Sequence, residues 1–176
     1  AQGVQVGTLF AFAEESGIRP DLRHTLLRKL AEGTLKVRND PRASPTGFPF
    51  KIANVEGTLS EPAPYAARER VCDLGYLRTP VEREDGALTY RCASEPVDAY
   101  LKKGGDLADT DGRLCLCNAL LADVGLGQVR QNGYVEDPVI TLGQDLSGPK
   151  RLLETHTAGW TAAEAVHWLT SGLLLP

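Results

Sequence analysis

The sequence predicts an α/β chain in two parts, a strand–helix unit in residues 1–60 and a small mixed α+β part in residues 61–176. Short alternating apolar stretches and longer leucine stripes are separated by glycine-containing turns throughout the chain. The charge balance also changes, because residues 1–60 carry eight basic and six acidic side chains and residues 61–176 carry eleven and seventeen. A length of 176 residues with 42% apolar side chains is typical of one compact domain, or of one domain with an appendage.

The first part begins with a short strand and continues into helices. Valines alternate with Gln5 between two glycines, which predicts a strand over residues 3–7. Residues 9–16 are compatible with a helix that ends at Gly17. A second helix is predicted near residues 20–32, because Pro20 suits a first helical position and a leucine stripe follows. Residues 35–38 favour a strand, and the proline-rich residues 40–49 favour a loop.

The second part alternates short helices and strands. The capping box formed by Thr161 and Glu164 predicts a final helix over residues 162–170. The other predicted elements are a short helix after residue 61, a hairpin turn at Glu84–Gly86 that leads into a strand over 88–92, a helix from Ser94 to Lys102, and a helix over 116–124.

The composition also excludes some partners. A formal net charge of −4, with both signs mixed along the chain, is unsuited to neutralising nucleic-acid phosphates. The longest wholly apolar run is far shorter than the roughly 18 residues that a membrane helix needs. The first residues lack the basic start of a secretory signal. We therefore expect a cytoplasmic protein that binds neither nucleic acid nor membrane.

The pair Gly7–Thr8 carries the chemistry of the opening segment. A glycine and a threonine at the end of a strand can present backbone N–H groups and a hydroxyl to an anion. This arrangement favours phosphate binding. Because many strands end in Gly-Thr without any ligand, an ordinary strand end is the alternative interpretation.

A family resemblance strengthens the phosphate interpretation. Residues 3–8 read GVQVGT, and Glu14, Glu15 and Ser16 follow. This run resembles the final barrel strand and following helix of the nitronate monooxygenase (2-nitropropane dioxygenase-like) family and of the related flavin-dependent enoyl-acyl-carrier-protein reductases. Residues 43–51, ASPTGFPFK, are similar to a loop of longer bacterial members, and residues 61–176 resemble their C-terminal extension more loosely.

The resemblance implies a TIM barrel that holds FMN, with the phosphate bound by the loops after the seventh and eighth strands. It assigns Gln5, Gly7 and Thr8 to the FMN phosphate and the adjacent flavin contacts. A full barrel takes about 200–250 residues. We therefore expect this chain, which contains no Met, to be a fragment: the last strand–helix unit of the barrel, in residues 1–60, with the extension in 61–176. The family's catalytic histidine would then lie outside it.

Two further partners follow from this expectation. The intact enzyme would act on a small-molecule substrate, an alkyl nitronate, with flavin and dioxygen. The opening strand, lacking its parallel neighbours, would be covered by the remainder of the barrel or by a second chain. The chain alone would be inactive. The alternatives are part of a flavin-dependent enoyl-acyl-carrier-protein reductase, or a non-catalytic binding module with a structural zinc ion.

The zinc alternative depends on four cysteines, Cys72, Cys92, Cys115 and Cys117. Four clustered thiols in one chain can bind zinc in a tetrahedron, but the spacing lacks the paired CxxC motifs of strong zinc signatures. The C-x-C pair would place its side chains on opposite faces of a strand, or about 200° apart on a helix. We therefore expect the sulfurs to be scattered as reduced thiols. His24, His156 and His167 form no recognisable catalytic triad.

Overall fold

Residues 5–171 are described by the computed structural model, and they form a mixed α/β fold. The mixed α/β class is as predicted. No helix within this range is long and apolar enough to cross a membrane. In chain order the elements are α1 (Thr8–Ala11), α2 (Pro20–Ala31), β1 (Val37–Asp40), β2 (Phe50–Ala53), α3 (Pro62–Ala67), β3 (Thr79–Glu82), β4 (Leu88–Arg91), α4 (Val97–Lys102), α5 (Leu116–Asp123), α6 (Ser147–Leu153) and α7 (Ala162–Ser171), with 3-10 helices at Glu14–Ser16 and Leu107–Thr110.

The opening of the chain differs from the prediction. Residues 3 and 4 of the predicted strand lie outside the described range, and residues 5–7 are irregular, so the strand prediction is wrong for these three residues. The physical reason is an early turn. The carbonyl of Gly7 accepts the N–H groups of Phe10 and Ala11, each at 3.0 Å, and Gly7 is already in the right-handed helical region. The predicted helix over 9–16 is divided into α1 and the 3-10 helix Glu14–Ser16, which is followed by Gly17 with a φ of +80°.

Helix α2 confirms the leucine-stripe prediction. It begins at Pro20, ends at Ala31 and buries the side chains of Leu22, Leu26, Leu27 and Leu30. Helix α7 confirms the capping-box prediction: the backbone N–H of Thr161 donates to Glu164 Oε2 at 2.7 Å, and the N–H of Glu164 donates to Thr161 Oγ1 at 3.2 Å. Both helices therefore follow from local sequence patterns.

Each strand pairs with its neighbour in the chain. Strands β1 and β2 form an antiparallel pair with Val37 opposite Ala53, and the proline-rich loop connects them. Strands β3 and β4 form a second antiparallel pair around the predicted turn at Glu84–Gly86. Helices α4 and α5 agree with the predicted segments, although α4 begins at Val97 rather than at Ser94. Helix α6 was not predicted, because its seven residues are too few to show a period.

Two apolar clusters form the interior. The larger one, here called the Trp160 core, surrounds a tryptophan whose side chain is fully buried. The Trp160 indole contacts Phe12, with ring centroids 5.8 Å apart, and its Nε1–H donates to the carbonyl of Leu9 at 2.9 Å. The smaller cluster combines Ile52 and Leu59 with residues of α5. Both clusters contain residues from both sides of residue 60, and the domain boundary there stays a prediction.

A polar region, here called the Arg68 network, lies in the second part. The side chain of Arg68 is 2% exposed and forms an ion pair at 3.2 Å with Glu136, whose side chain is fully buried. Arg68 also donates to the carbonyl of Arg113 at 2.7 Å, and Arg70 donates to the carbonyl of Thr110 at 2.6 Å. Burial raises the pKa of the Glu136 carboxyl, and the neighbouring Arg68 opposes that rise. The side chains of Arg68 and Arg70 thus connect their segment to the loops that contain Thr110 and Arg113.

Candidate functional site

An open groove lies beside the start of α1 and has a volume of about 470 Å³. Gly7 and Thr8 line it together with Lys51 of β2 and the segment from Thr141 to Gly143. The groove therefore combines two residues that the sequence analysis assigned to phosphate with a cationic side chain from a separate hairpin.

A hydrogen bond joins two residues of the groove lining that are far apart in the sequence. The N–H of Gly143 donates to Thr8 Oγ1 at 2.9 Å, which ties α1 to the segment that follows Ile140. A Cβ atom at position 143 would lie 2.7 Å from Thr8 Oγ1, so only glycine allows this close approach. The Thr8 hydroxyl is consequently fixed by the fold, with its lone pair engaged by this N–H group.

Gly7 differs from Gly143 because its missing side chain leaves open space. Its backbone has a φ of −109°, which any residue can adopt, and a Cβ atom built there would meet nothing within 4 Å. The fold therefore does not require glycine at this position. Absence of a side chain here keeps the groove open to a ligand.

Lys51 supplies the positive charge of the groove. Its side chain is exposed on β2, while the next two residues, Ile52 and Ala53, are buried. Among residues 5–171, no carboxylate lies within salt-bridge distance of Lys51. An ammonium group without a partner beside open backbone is suited to an anion.

The predicted site residues are only partly brought together. Gly7 and Thr8 share the groove, whereas Gln5 is exposed and does not line it. Sequence reasoning missed Lys51 and Gly143 as members of the site. Lys51 is the last residue of the segment 43–51 that carries the second part of the resemblance, and this was the available signal; no local pattern indicated Gly143.

The cysteines do not form a metal centre in the described part of the chain. All four thiols are free, and no group of three or more His, Cys, Asp or Glu side chains within residues 5–171 is placed to hold a metal ion. Cys92 Sγ instead contacts Ser94 Oγ at 3.1 Å. Burial raises the pKa of the Cys72 thiol.

Cys115 and Cys117 lie at the start of α5. The thiol of Cys115 is 3.7 Å from the carbonyl oxygen of Val71 and accepts a hydrogen bond from Asn118 Nδ2 at 3.4 Å. Cys115 lies at the N-cap position of α5, with φ −79° and ψ 78°, so neither helical nor strand geometry applies to it. Leu116 and Cys117 then form the first turn of the helix.

The histidines contribute no catalytic arrangement. His24 and His167 are exposed. His156 is half-buried: its Nδ1 contacts Thr155 Oγ1 at 2.9 Å, and its Nε2 lies 3.8 Å from Glu164 Oε1. These contacts stabilise the turn before α7, because they connect only residues of α6, α7 and the loop between them.

Comparison with family models, with curated proteins and with solved structures finds no significant match.

Proposed function

We propose that this chain is the C-terminal part of an FMN-dependent, nitronate monooxygenase-like oxidoreductase, and that the groove beside α1 holds the FMN phosphate. One observation carries the proposal. Gly7 and Thr8, which the resemblance assigns to the phosphate, open onto the same groove as Lys51, which has no ion-pair partner in the described chain. In the intact protein, the FMN-binding barrel would lie mainly outside this chain, and residues 61–176 would form its extension.

The chemistry of the groove suits a phosphate monoester. A dianionic phosphate needs positive charge and several donors, and a lysine ammonium together with backbone N–H groups provides both. The residues that line the groove are mostly small or polar, so they fit the phosphate end of FMN and offer no apolar slot for the flavin rings. The rings would therefore be bound by the remainder of the barrel.

The residues of this chain bind and orient the cofactor in this scheme. Lys51 would neutralise the phosphate, and the bond from Gly143 to Thr8 would keep the groove wall in place. FMN, when bound, supplies the redox chemistry by which an alkyl nitronate is oxidised with dioxygen. Residues that act on the substrate lie outside this chain.

The test compares two flavins on the full-length gene product. Riboflavin has the flavin rings of FMN without the phosphate, so it reports ring binding alone. Replacing Lys51 with Ala should weaken FMN binding by about 10- to 100-fold, since hydrogen bonds to charged groups contribute about 1.5–3 kcal/mol. Binding of riboflavin should not change. Fluorescence titration of both flavins gives the two dissociation constants.

Two further variants complete the test. Gly7→Val fills open space in the groove, is compatible with the backbone, and should reduce FMN binding in a folded protein. Lys36→Ala is the matched control, because Lys36 is exposed on the same hairpin region but does not line the groove. A full-length protein that binds no flavin, or equal weakening of both flavins by Lys51→Ala, would contradict the proposal. Turnover of an enoyl thioester in place of a nitronate would assign the protein to the reductases.

A further inference from the structure

A second groove, here called the α5 groove, lies beside α5 and has a volume of about 460 Å³. It is independent of the proposed flavin groove, because the two grooves share no lining residue. Three separate segments form its lining: α5, the residues around the start of β2, and the loop before β3. The aromatic and leucine side chains that line it are Phe50, Tyr76, Leu77, Leu116, Leu120 and Leu121.

The absence of charge distinguishes the α5 groove from the groove beside α1. Among the described residues, no lysine, arginine, histidine, aspartate or glutamate lines the α5 groove, whereas Lys51 lines the other groove. A charged ligand would lose its hydration here and find no side chain of opposite charge among these residues, which is costly. The lining therefore selects neutral ligands.

Hydrogen bonds fix the loop before β3 against α5. Asn118 of α5 donates from Nδ2 to Asp73 Oδ1 at 2.9 Å. Within the loop, Arg78 Nη2 donates to the carbonyl of Cys72 at 2.7 Å, and Tyr76 lies between these two residues. The wall that contains Tyr76 is thus in place without a ligand, as is typical of small-molecule sites.

Two aromatic rings from different segments face the α5 groove. Phe50 is half-buried and packs against the smaller apolar cluster, whereas the side chain of Tyr76 is 73% exposed. Stacked and edge-to-face contacts between aromatic rings increase affinity by about 2- to 10-fold beyond the effect of buried area. A planar aromatic ligand gains this contact, while a flexible alkyl chain gains none of it and loses rotational freedom on binding.

We propose that the α5 groove binds a neutral, planar aromatic small molecule. Tyr76 and Phe50 contact its rings, and the leucines of α5 contact its apolar edge. Ser44, which is buried and whose Oγ lies 2.8 Å from Thr46 Oγ1, offers a hydroxyl to one polar substituent. The volume of the groove lies within the range of about 300–1,000 Å³ that is typical of small-molecule sites.

Fluorescence titration with N-phenylnaphthylamine tests the proposal. This neutral aromatic amine becomes more fluorescent in apolar surroundings, and it should bind saturably, with one probe per chain. Tyr76→Ala should weaken binding by about 2- to 10-fold, and Tyr76→Phe, which keeps the ring, should bind like the unmodified chain. Tyr90→Ala is the matched control, because Tyr90 is also an exposed tyrosine but does not line the groove. Circular dichroism of each variant confirms that it is folded.

Alkylation of Cys117, which also lines the α5 groove, locates the probe. Cleavage at arginine places Cys117 in peptide 114–130 and Cys72 in peptide 71–78. Saturating N-phenylnaphthylamine should slow the reaction of Cys117 with iodoacetamide, as measured by mass spectrometry of the two peptides. Cys72 is half-buried like Cys117 but does not line the groove, so its alkylation rate should not change.

Several outcomes would overturn the proposal. Probe binding that does not saturate, equal weakening by Tyr76→Ala and Tyr90→Ala, or an unchanged alkylation rate of Cys117 would contradict it. Octanol that displaces the probe at lower concentration than naphthol would assign the groove to an alkyl chain instead. A dimer in size-exclusion chromatography that the probe dissociates would show that a second copy of this chain covers the groove.

Discussion

Around Trp160 the chain is packed by apolar side chains, whereas around Arg68 it is connected by hydrogen bonds from arginines to backbone carbonyl groups and by a buried ion pair. The first kind of packing is non-directional and scales with buried apolar area. The second depends on every partner being present, because a buried charge without its partner is costly. The two regions should therefore respond differently to substitution.

The largest effect is expected in the Trp160 core. Trp160→Ala removes a fully buried indole, its contact with Phe12 and its hydrogen bond to Leu9. The free energy of unfolding should fall by about 3–5 kcal/mol, as measured by urea denaturation. Val166→Ala, at a side chain that is 49% exposed, is the control and should change stability by less than about 0.5 kcal/mol.

In the Arg68 network, the loss of unfolding free energy caused by a substitution should depend on whether the ion-pair partner is still charged. Arg68→Met keeps the apolar stem but leaves the Glu136 carboxyl buried without its ion pair, and should cost about 3 kcal/mol. Adding Glu136→Gln should recover part of that loss in the same denaturation experiment. If the loss of unfolding free energy in the double variant equalled the sum of the two single losses, the Arg68 network would respond to substitution like the Trp160 core.

Asp123 provides a contrast to Glu136, whose buried carboxyl has an ion-pair partner. The carboxyl of Asp123 is also buried, but its Oδ1 has no hydrogen-bond partner among the described residues. Burial raises the pKa of Asp123 to about 6 from its ordinary 3.8. The unfolded chain loses this proton first as pH rises, so the folded state is progressively destabilised between about pH 4 and pH 6, by on the order of 2 kcal/mol, and the loss is constant above that window.

Asp123→Asn should remove this pH dependence. The variant should gain stability relative to the unmodified chain as pH rises from 4 to 6, which thermal unfolding at several pH values will show. Asp98→Asn, at an exposed side chain, is the matched control and should produce no such window. A parallel pH dependence in the Asp123 variant and the unmodified chain would contradict the assignment.

The smallest effect is expected at the cap of α7. Thr161→Ala removes the side chain that accepts the Glu164 N–H, and should lower the free energy of unfolding by about 1 kcal/mol. Thr157→Ala, at an exposed loop residue, should leave stability unchanged. If the Thr161 variant lost as much as Trp160→Ala, capping rather than apolar packing would hold this region together.

The contrast between local patterns and long-range hydrogen bonds explains which features could be predicted from the sequence. The leucine stripe of α2, the capping box of α7 and the turn at Glu84–Gly86 are local patterns, and the structure confirms all three. Arg68 donates to the carbonyl group of Arg113, 45 residues away, and Arg70 donates to that of Thr110, 40 residues away, and carbonyl groups carry no side-chain signature. Nothing local could indicate these bonds.

The candidate site shows the same limit. Gly7 and Thr8 were identified because they are adjacent in the sequence and match a known motif. Lys51 and Gly143 join them only after the chain has folded, since Gly143 lies 135 residues from Thr8. The strand predicted over residues 3–7 failed at residues 5–7 because two N–H groups turn back to the Gly7 carbonyl immediately after it.

The hydrogen bond from Trp160 to Leu9 has a consequence for folding during synthesis. The two residues are 151 positions apart, and ribosomes add about 5–20 residues per second. Leu9 and Phe12 therefore leave the ribosome about 8–30 s before the indole that covers them. During that interval the growing chain exposes the apolar surface of its first helices. A chaperone would bind this surface before Trp160 covers it.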